Sequence, residues 1–322
     1  YSRGVAVVIG ISEYDFAQTR LKMLPGVRAD VDAMADFLVS EEKGGQAYDA
    51  VIVLRERQVT QSNVFCVVRA LGKLSRPGEV NSDRLMFYWS SHGVDVVEGG
   101  GKVGYLPYYG VSRDDVNETT ALDMRKIYTW AAGYFAGFRQ AVFLIDSCVS
   151  GYATLTKGSG SERGAVSIKM PSPNAGYERL MGDLKGLAEH YRMVITASNQ
   201  EDPAYENVSG GDFTQSFLQL MREGSPDLVW RGDLFQTSLV DRMQDYQQRR
   251  RQQQALFSQP QVESIPEPQL ELFLGKRQSS FLVPAHPRLL EMFESALSAR
   301  ENAANQSKAG APARPEQDAA GS

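Results

Sequence analysis

The residues best suited to covalent chemistry in this sequence are one cysteine and one histidine, Cys148 and His92. Only two cysteines and three histidines occur among 322 residues, so few such pairs can be formed. A thiolate attacks a carbonyl far better than a thiol does, and a neighbouring imidazole can carry the proton in both halves of an acyl transfer. The backbone N–H of Gly93, together with that of Cys148, is a candidate to stabilise the resulting oxyanion.

The remaining cysteine and histidines are weaker candidates for this chemistry. Cys66 lies in an amphipathic run, residues 62–71, where a cysteine is expected to be a small buried hydrophobe. His190 ends a helix predicted over residues 184–189, where a histidine beside terminal carbonyl groups is ordinary. His286 lies in the C-terminal tail, and the contrasting contexts of the two cysteines do not predict a disulfide.

Alternating apolar and amphipathic segments predict the elements that must position these residues. Short apolar runs predict buried strands at residues 5–10, 50–54, 84–89, 141–145 and 193–197, with a last strand at 270–274. Helical spacing predicts helices after the turn at 24–26 and at residues 62–74, 122–138 and 233–256. Such alternation predicts right-handed crossovers and a mostly parallel sheet flanked by helices on both faces, so the expected fold class is α/β.

His92 and Cys148 each follow a predicted strand directly. The strand at 84–89 continues into Ser90-Ser91-His92-Gly93, and the strand at 141–145 continues into Asp146-Ser147-Cys148. Loops at the carboxyl ends of parallel strands line a crevice in which ligands collect. We therefore expect the imidazole and the thiol to face each other across a cleft.

The order of these segments resembles the catalytic pattern of the caspase, metacaspase and paracaspase group. The pattern consists of a strand with Ser91-His92-Gly93, a helix, and a strand with residues 146–151, and the histidine precedes the cysteine by 56 positions. In caspases this separation is about 50 residues. The resemblance extends over residues 4–275 and includes Ile11-Ser12-Glu13-Tyr14 and Asp212-Phe213-Thr214. It implies a caspase-like fold and a cysteine endopeptidase with Cys148 as nucleophile and His92 as its partner.

The resemblance also implies which substrates would be cleaved. Caspases that cleave after aspartate have a glutamine two residues before the nucleophile, where this chain has Asp146. Asp30 falls on the aspartate that completes the first substrate pocket in metacaspases and paracaspases. Two carboxylates in a partly desolvated pocket attract a guanidinium or ammonium group and repel a substrate aspartate, so cleavage after Arg or Lys is expected. Asp202 and Glu206 are further candidates for the rim of this pocket.

Two departures from the metacaspase pattern concern activity and cofactors. Val149 stands where metacaspases usually have a histidine, but that position is not the base, so activity is still expected. Metacaspases that need calcium have an acidic cluster before the helix that precedes the nucleophile strand, whereas Asp114, Asp115 and Asp123 are only loosely arranged here. No cofactor is therefore expected, with calcium as the alternative. The sequence contains no zinc-ligand spacing and no phosphate-binding glycine motif.

The chain is expected to form one peptidase domain, residues 1–275, and a tail, residues 276–322. Residues 153–176 are rich in Gly, Ser and Pro and predict a flexible loop. Related enzymes cut themselves in this region, and the basic residues here are Lys157, Arg163 and Lys169. An ordinary surface loop is the alternative. The tail is expected to be helical and then disordered, and to be the contact for a regulatory partner.

Charge and hydropathy limit the partners of the chain. With 34 basic and 39 acidic residues, the net charge is −5, which gives no overall attraction to nucleic acid or to anionic membranes. No apolar run approaches the roughly 20 residues that cross a bilayer, and the first residues lack the apolar region of a signal peptide. The expected partner is a protein substrate with a basic residue before the cut. Free cysteines favour a cytoplasmic location, with an exported form as the alternative because the chain does not begin with Met.

Three other functions are compatible with this fold class. A caspase-like scaffold would bind partners without catalysis, but the presence of both His92 and Cys148 disfavours it. A Rossmann-like nucleotide-binding domain would begin with a strand like that at 5–10, but the Gly-x-Gly-x-x-Gly run is missing and the first turn is long. A thiol hydrolase could also use the same pair on a small molecule.

Overall fold

The computed structural model describes residues 3–39, 48–75, 83–98, 101–148, 150, 191–198, 206–207, 210–223, 230–256, 269–274 and 281–282. Its strands are β1 Gly4–Gly10, β2 Ala50–Arg55, β3 Arg84–Ser90, β4 Val94–Glu98, β5 Gly101–Pro107, β6 Ala121–Asp123, β7 Gln140–Asp146, β8 Tyr191–Thr196, β9 Glu206–Asn207, β10 Gly210–Gly211, β11 Trp230–Arg231, β12 Gln269–Leu274 and β13 Phe281–Leu282. Its helices are α1 Phe16–Thr19, α2 Pro25–Val39, α3 Gln61–Ser75, α4 Lys126–Ala132, α5 Asp212–Glu223 and α6 Gly232–Leu256.

Six strands form one central sheet in the order β12-β8-β7-β3-β1-β2. The pairs from β2 to β8 are all parallel, and β12 adds an antiparallel strand at one edge. Parallel neighbours need a crossover connection, and between β1 and β7 these connections contain α2, α3 and α4. The predicted α/β class with a mostly parallel sheet is confirmed.

Successive residues of the central strands pack into two hydrophobic cores, one on each face of the sheet. On β1, Val5, Val7 and Ile9 belong to one core, and Ala6 and Val8 belong to the other. This alternation follows from the two-residue repeat of a strand. Apolar residues of α3 and α4 complete the first core, and those of α2, α5 and α6 complete the second. The sheet is therefore covered on both faces, as an unbroken apolar strand requires.

The helix predicted over residues 122–138 is wrong at both ends. Its beginning forms β6, which pairs with β5 in a three-stranded antiparallel sheet of order β4-β5-β6. The Asp123 carboxylate accepts hydrogen bonds from the backbone and the guanidinium of Arg125, at 2.9 Å and 2.7 Å, which favours a turn there. Only Lys126–Ala132 are helical, and Gly133 follows as the C-cap.

The predicted burial of Cys66 is also wrong. Cys66 is exposed on α3. The buried face of that helix contains Val64, Val68 and Leu71. Residues two positions apart lie on opposite sides of a helix, and Cys66 is two positions from both valines, so its side chain points to solvent.

Several predicted features lie outside the described residues. These are the 153–176 loop, His190, Asp202 and His286. The tail lies there too, except that Phe281–Leu282 pair with Trp230–Arg231 as a short antiparallel ladder. Within the part of the chain that the structure describes, no helix has the length and apolar character needed to cross a membrane.

Candidate active site

His92 and Cys148 lie at matching positions beyond two adjacent parallel strands. Ser90 ends β3 and pairs with Asp146, which ends β7, so each site residue follows its strand by two positions. The Ser91 N–H donates to the Asp146 carbonyl at 3.3 Å, which extends the pairing past the sheet. Neighbouring strands are about 4.8 Å apart, so the sheet brings both residues to one edge. Both line a cleft of about 150 Å³, and Cys148 is half-buried in it.

The His92 ring is held by the segment between β1 and α2. Its Nε2 lies 2.7 Å from the carbonyl oxygen of Lys22. Because a carbonyl can only accept, Nε2 carries the proton, and Nδ1 of the neutral ring has the lone pair that a base needs. The Tyr14 ring meets the imidazole edge-on with 4.7 Å between centroids, and its hydroxyl accepts from the His92 N–H at 3.4 Å.

Burial of the His92 ring lowers its pKa below the usual 6.5, and the bond to the Lys22 carbonyl opposes this change. The imidazole is therefore neutral at pH 7 and able to accept a proton. Sequence reasoning missed both supports of this ring. Lys22 acts through its backbone carbonyl, which no side-chain pattern reveals. Tyr14 could have been found from its position just after β1, at the same edge of the sheet.

Gly93 lies against the backbone of Cys148. A Cβ atom at this position would be 1.9 Å from the Cys148 carbonyl oxygen and 2.9 Å from its carbonyl carbon. No other residue type fits unless the segment that contains Gly93 moves away from the segment that contains Cys148, because real Cβ contacts are longer than this. The absent side chain thus allows the segments that carry His92 and Cys148 to stay in contact beyond the ends of their strands.

Asp30 and Asp146 line the same cleft, although they come from α2 and β7. Their exposed fractions are only 1% and 6%. Asp30 accepts hydrogen bonds from the Gly211 N–H at 2.7 Å and from the Gln215 side chain at 2.9 Å. Asp146 accepts one from the Thr214 hydroxyl at 2.6 Å. These three donors are uncharged, so they orient the carboxylates without neutralising them.

Burial raises the pKa of Asp146 to about 6; hydrogen bonds from Thr214 oppose the rise, and the charge of Asp212 adds to it. Burial, followed by the charges of Asp30 and Asp146, raises the pKa of Tyr88 well above 10, so its hydroxyl stays protonated. At neutral pH the cleft therefore contains a desolvated negative charge. Such a pocket can bind a guanidinium or ammonium group through charge and hydrogen bonds together.

The aspartates considered for calcium are not gathered into one group. Asp114 pairs with Arg20 at 2.9 Å, and Asp123 pairs with Arg125 at 2.7 Å. Among the described residues, no cluster of three or more His, Cys, Asp or Glu side chains is placed to hold a metal ion. Asp114 and Asp123 are thus each held by an arginine. Glu206, considered for the pocket rim, lies in β9, where its backbone is paired in register with Gly211.

The fold is similar to that of many solved structures, and two of them show how low the sequence identity is. Protein GSU0716 from Geobacter sulfurreducens is 17% identical with a TM-score of 0.48, over 89% of this chain and 96% of that chain. Caspase-1 from Spodoptera frugiperda is 14% identical with a TM-score of 0.45, over 84% of this chain and 86% of that chain. No curated protein sequence matches the chain.

The family model of the caspase domain, peptidase family C14, matches residues 3–265. This range contains the whole cleft, including His92, Cys148, Asp30 and Asp146. It also contains five of the six strands of the central sheet in full. A match over most of the chain establishes the family, and the chain therefore belongs to the caspase-domain family of peptidases.

Proposed function

We propose that the protein is a cysteine endopeptidase that cleaves after Arg or Lys, with Cys148 as nucleophile and His92 as base and then acid. The observation that carries the proposal is that one cleft contains His92, Cys148, Asp30 and Asp146. Membership of the caspase-domain family supports peptidase chemistry. The two buried carboxylates support a basic residue before the cut.

In the first half of the reaction, Nδ1 of His92 takes the proton from the Cys148 thiol, and the thiolate attacks the scissile carbonyl carbon. The carbonyl π electrons move to oxygen, and the N–H groups of Gly93 and Cys148 donate to that oxyanion. The Lys22 carbonyl accepts from Nε2–H throughout, so it also stabilises the imidazolium. The tetrahedral intermediate then collapses, and the imidazolium gives its proton to the departing amine.

The second half releases the acyl group from the sulfur. Neutral His92 takes a proton from water, whose oxygen attacks the thioester carbon. Collapse of the new intermediate breaks the C–S bond, frees the carboxylic acid and returns the proton to sulfur. The same imidazole therefore serves as base and acid in each half, and its lowered pKa favours the neutral form that begins each half.

Substrate choice follows from the charge of the pocket. A bound guanidinium or ammonium group offsets the desolvation of the Asp146 carboxylate and so lowers the pKa of that group. A substrate aspartate would bring a third carboxylate beside Asp30 and Asp146, which charge repulsion disfavours. The chain also carries basic residues soon after Cys148, at Lys157, Arg163 and Lys169, and we include self-processing there in the proposal.

The test uses matched peptide reporters that end in arginine or aspartate. We expect the arginyl reporter to be cleaved about 100-fold faster or more, because the site is built for a hydrogen-bonded cation. Cys148→Ala should abolish cleavage, whereas Cys66→Ala should not change it, because Cys66 is the exposed cysteine of α3. Faster cleavage of the aspartyl reporter, or full activity of Cys148→Ala, would refute the proposal. A folded wild-type protein that cleaves neither reporter would favour the scaffold alternative.

A further inference from the structure

One short segment, residues 210–215, contacts both buried carboxylates of the cleft. We call it the carboxylate-binding segment; it comprises β10 and the first turn of α5. Its Gly211 N–H and Gln215 side chain donate to the two oxygens of Asp30, and its Thr214 hydroxyl donates to Asp146. Asp30 and Gly211 are 181 positions apart in sequence, so the fold alone brings these partners together.

The two glycines of this segment lie directly against the carboxylates. Gly210 has a φ of 131°, a backbone angle that residues with a side chain rarely adopt. A Cβ there would lie 2.3 Å from Asp30 Oδ1. A Cβ at Gly211 would lie 2.7 Å from Asp146 Oδ2. The backbone can therefore approach both carboxylates only because neither position has a side chain.

Thr214 connects Asp146 to a second buried hydroxyl. The Thr214 side chain is 0% exposed, and its Oγ1 lies 2.8 Å from the Tyr88 hydroxyl. The single hydroxyl proton of Thr214 goes to the Asp146 carboxylate, so Tyr88 is the donor in the other bond. This relay polarises the Thr214 hydroxyl toward Asp146, because hydrogen bonds in a chain strengthen one another.

Thr214 and Gln215 are not among the described residues that line the cleft, whereas Asp30, Asp146 and Gly211 are. Any effect of Thr214 and Gln215 on a substrate therefore passes through the carboxylates. Donors to a carboxylate favour its charged form and fix its direction, and both properties matter for binding a planar guanidinium.

We infer that Thr214 and Gln215 are positioning residues that determine specificity, because their hydrogen bonds orient the Asp146 and Asp30 carboxylates toward the basic side chain of the substrate. This inference rests on the proposed function. It adds a source of specificity outside the pocket wall: the side chains of Thr214 and Gln215.

The first experiment measures binding without cleavage. A peptide containing one arginine is titrated into three proteins: the Cys148→Ala variant, and the same variant combined with either Thr214→Val or Gln215→Leu. Each change removes a hydrogen-bond donor to a carboxylate while roughly preserving size, and we expect affinity to fall about 10-fold. Thr214→Ser keeps the hydroxyl and should restore affinity. Because no catalysis is needed, this readout is independent of the proposed peptidase activity.

Ser216→Ala is the matched control for these variants. Ser216 is buried in the same helix, and its hydroxyl has no hydrogen-bond partner within the described residues. Loss of this hydroxyl should leave peptide affinity unchanged, so a fall in affinity would show that the helix responds to any buried substitution and would overturn the inference. Thermal unfolding of each variant establishes that it is folded, and Gln215→Leu tests the inference if Thr214→Val does not fold.

The second experiment separates positioning from general damage in the active protein. With the arginyl reporter, Thr214→Val should raise KM about 10-fold and change kcat by about 2-fold or less, since His92 and Cys148 are untouched. The loss of a donor raises the pKa of Asp146, so the acid limb of kcat/KM should move to higher pH. Unchanged KM and pH profile in Thr214→Val would overturn the inference. A wild type that binds the arginine peptide but cleaves nothing would refute only the proposed function.

Discussion

The carboxylate of Glu56 accepts two hydrogen bonds from Ser12, one from the backbone N–H at 3.1 Å and one from the side-chain hydroxyl at 2.7 Å. It also accepts from the Glu13 N–H at 3.0 Å. Glu56 has a φ of 47°, in the left-handed region that is unfavourable for a residue with a Cβ. The bonds thus offset local strain and fasten the segment that leads to Tyr14, whose ring contacts His92.

We predict that Glu56→Gly removes these bonds without adding strain, since glycine suits a positive φ. The free energy of unfolding should fall by about 1–2 kcal/mol, and kcat should fall because Tyr14 holds the imidazole less firmly. Urea unfolding and reporter cleavage measure the two effects. Asp32→Asn, which breaks the exposed ion pair with the adjacent Arg55, should change stability by about 0.5 kcal/mol or less. If Glu56→Gly and Asp32→Asn lowered the free energy of unfolding equally, the hydrogen bonds of Glu56 would not stabilise this segment.

Gly93→Ala should lower kcat by about 100-fold, because a Cβ pushed against the Cys148 carbonyl displaces the nucleophile from His92 by a fraction of an ångström or more. The arginyl reporter gives kcat, and the rate of iodoacetamide labelling at Cys148 gives thiol reactivity. Gly101→Ala is the control, because the nearest atom to its Cβ would be 4.0 Å away. Full activity in Gly93→Ala would show that the two segments can separate without consequence.

The KM for the arginyl reporter should rise as pH falls through about 6. The pKa of Asp146 is raised to about 6 by burial, so the carboxylate becomes neutral below that pH and loses its attraction for the guanidinium. The rate of the chemical step should also fall at acid pH as His92 takes up a proton. Steady-state kinetics from pH 5 to 8 separate the two effects. A constant KM over this range would exclude Asp146 as a charged contact.

Asp146→Asn should stabilise the fold at pH 7 while it removes the preference for arginine. The pKa of Asp146 is about 6 in the folded protein and 3.8 as its ordinary value, so the folded state binds the proton more tightly. The free energy of unfolding therefore falls as pH rises from about 4 to 6. At pH 7 the ionised Asp146 lowers it by about 3 kcal/mol at most. Urea unfolding should show a gain in Asp146→Asn at pH 7 that disappears near pH 4. A gain that is independent of pH would have another cause.

Self-processing should occur after one or more of Lys157, Arg163 and Lys169. Intact-mass spectrometry of the purified protein is expected to find the cut chains, and Cys148→Ala should remain whole because the reaction needs the thiolate. The triple variant with glutamine at all three positions should also remain whole, whereas an intact wild-type chain with full activity would refute self-processing. Cuts at these positions in Cys148→Ala would point to a contaminating protease instead.

The strands and the placement of His92 and Cys148 in one cleft could be predicted from the sequence because their signals are local. An apolar run such as residues 5–10 can satisfy its backbone and bury its side chains only inside a covered sheet. His92 and Cys148 follow two such runs directly, and parallel pairing puts the ends of the strands together. The hairpin of β4 and β5 was missed, although the alternation beginning at Val94 and the glycines near residue 100 are signals for it.

The supports of the site could not be predicted, since they depend on contacts between distant parts of the chain. The carbonyl of Lys22 reaches His92 over 70 positions, and Thr214 reaches Asp146 over 68. Asp123 lies at the beginning of the predicted helix, and its hydrogen bond from Arg125, two positions further on, favours a turn there, which shows how one polar side chain can outweigh apolar spacing. The burial expected for Cys66 is wrong for a simpler reason. The expectation rests on the usual behaviour of cysteine, whereas Val64 and Val68 determine which face of α3 is buried.

The distance in sequence between Cys148 and the carboxylate-binding segment has a consequence during translation. A nascent chain that has just been extended past Cys148 contains His92, Cys148 and both aspartates, but not yet Gly211, Thr214 or Gln215. More than 60 further residues must leave the ribosome before Asp30 and Asp146 gain these donors. If the chain acts as proposed, selective recognition of a substrate is therefore among the last properties that the growing polypeptide acquires.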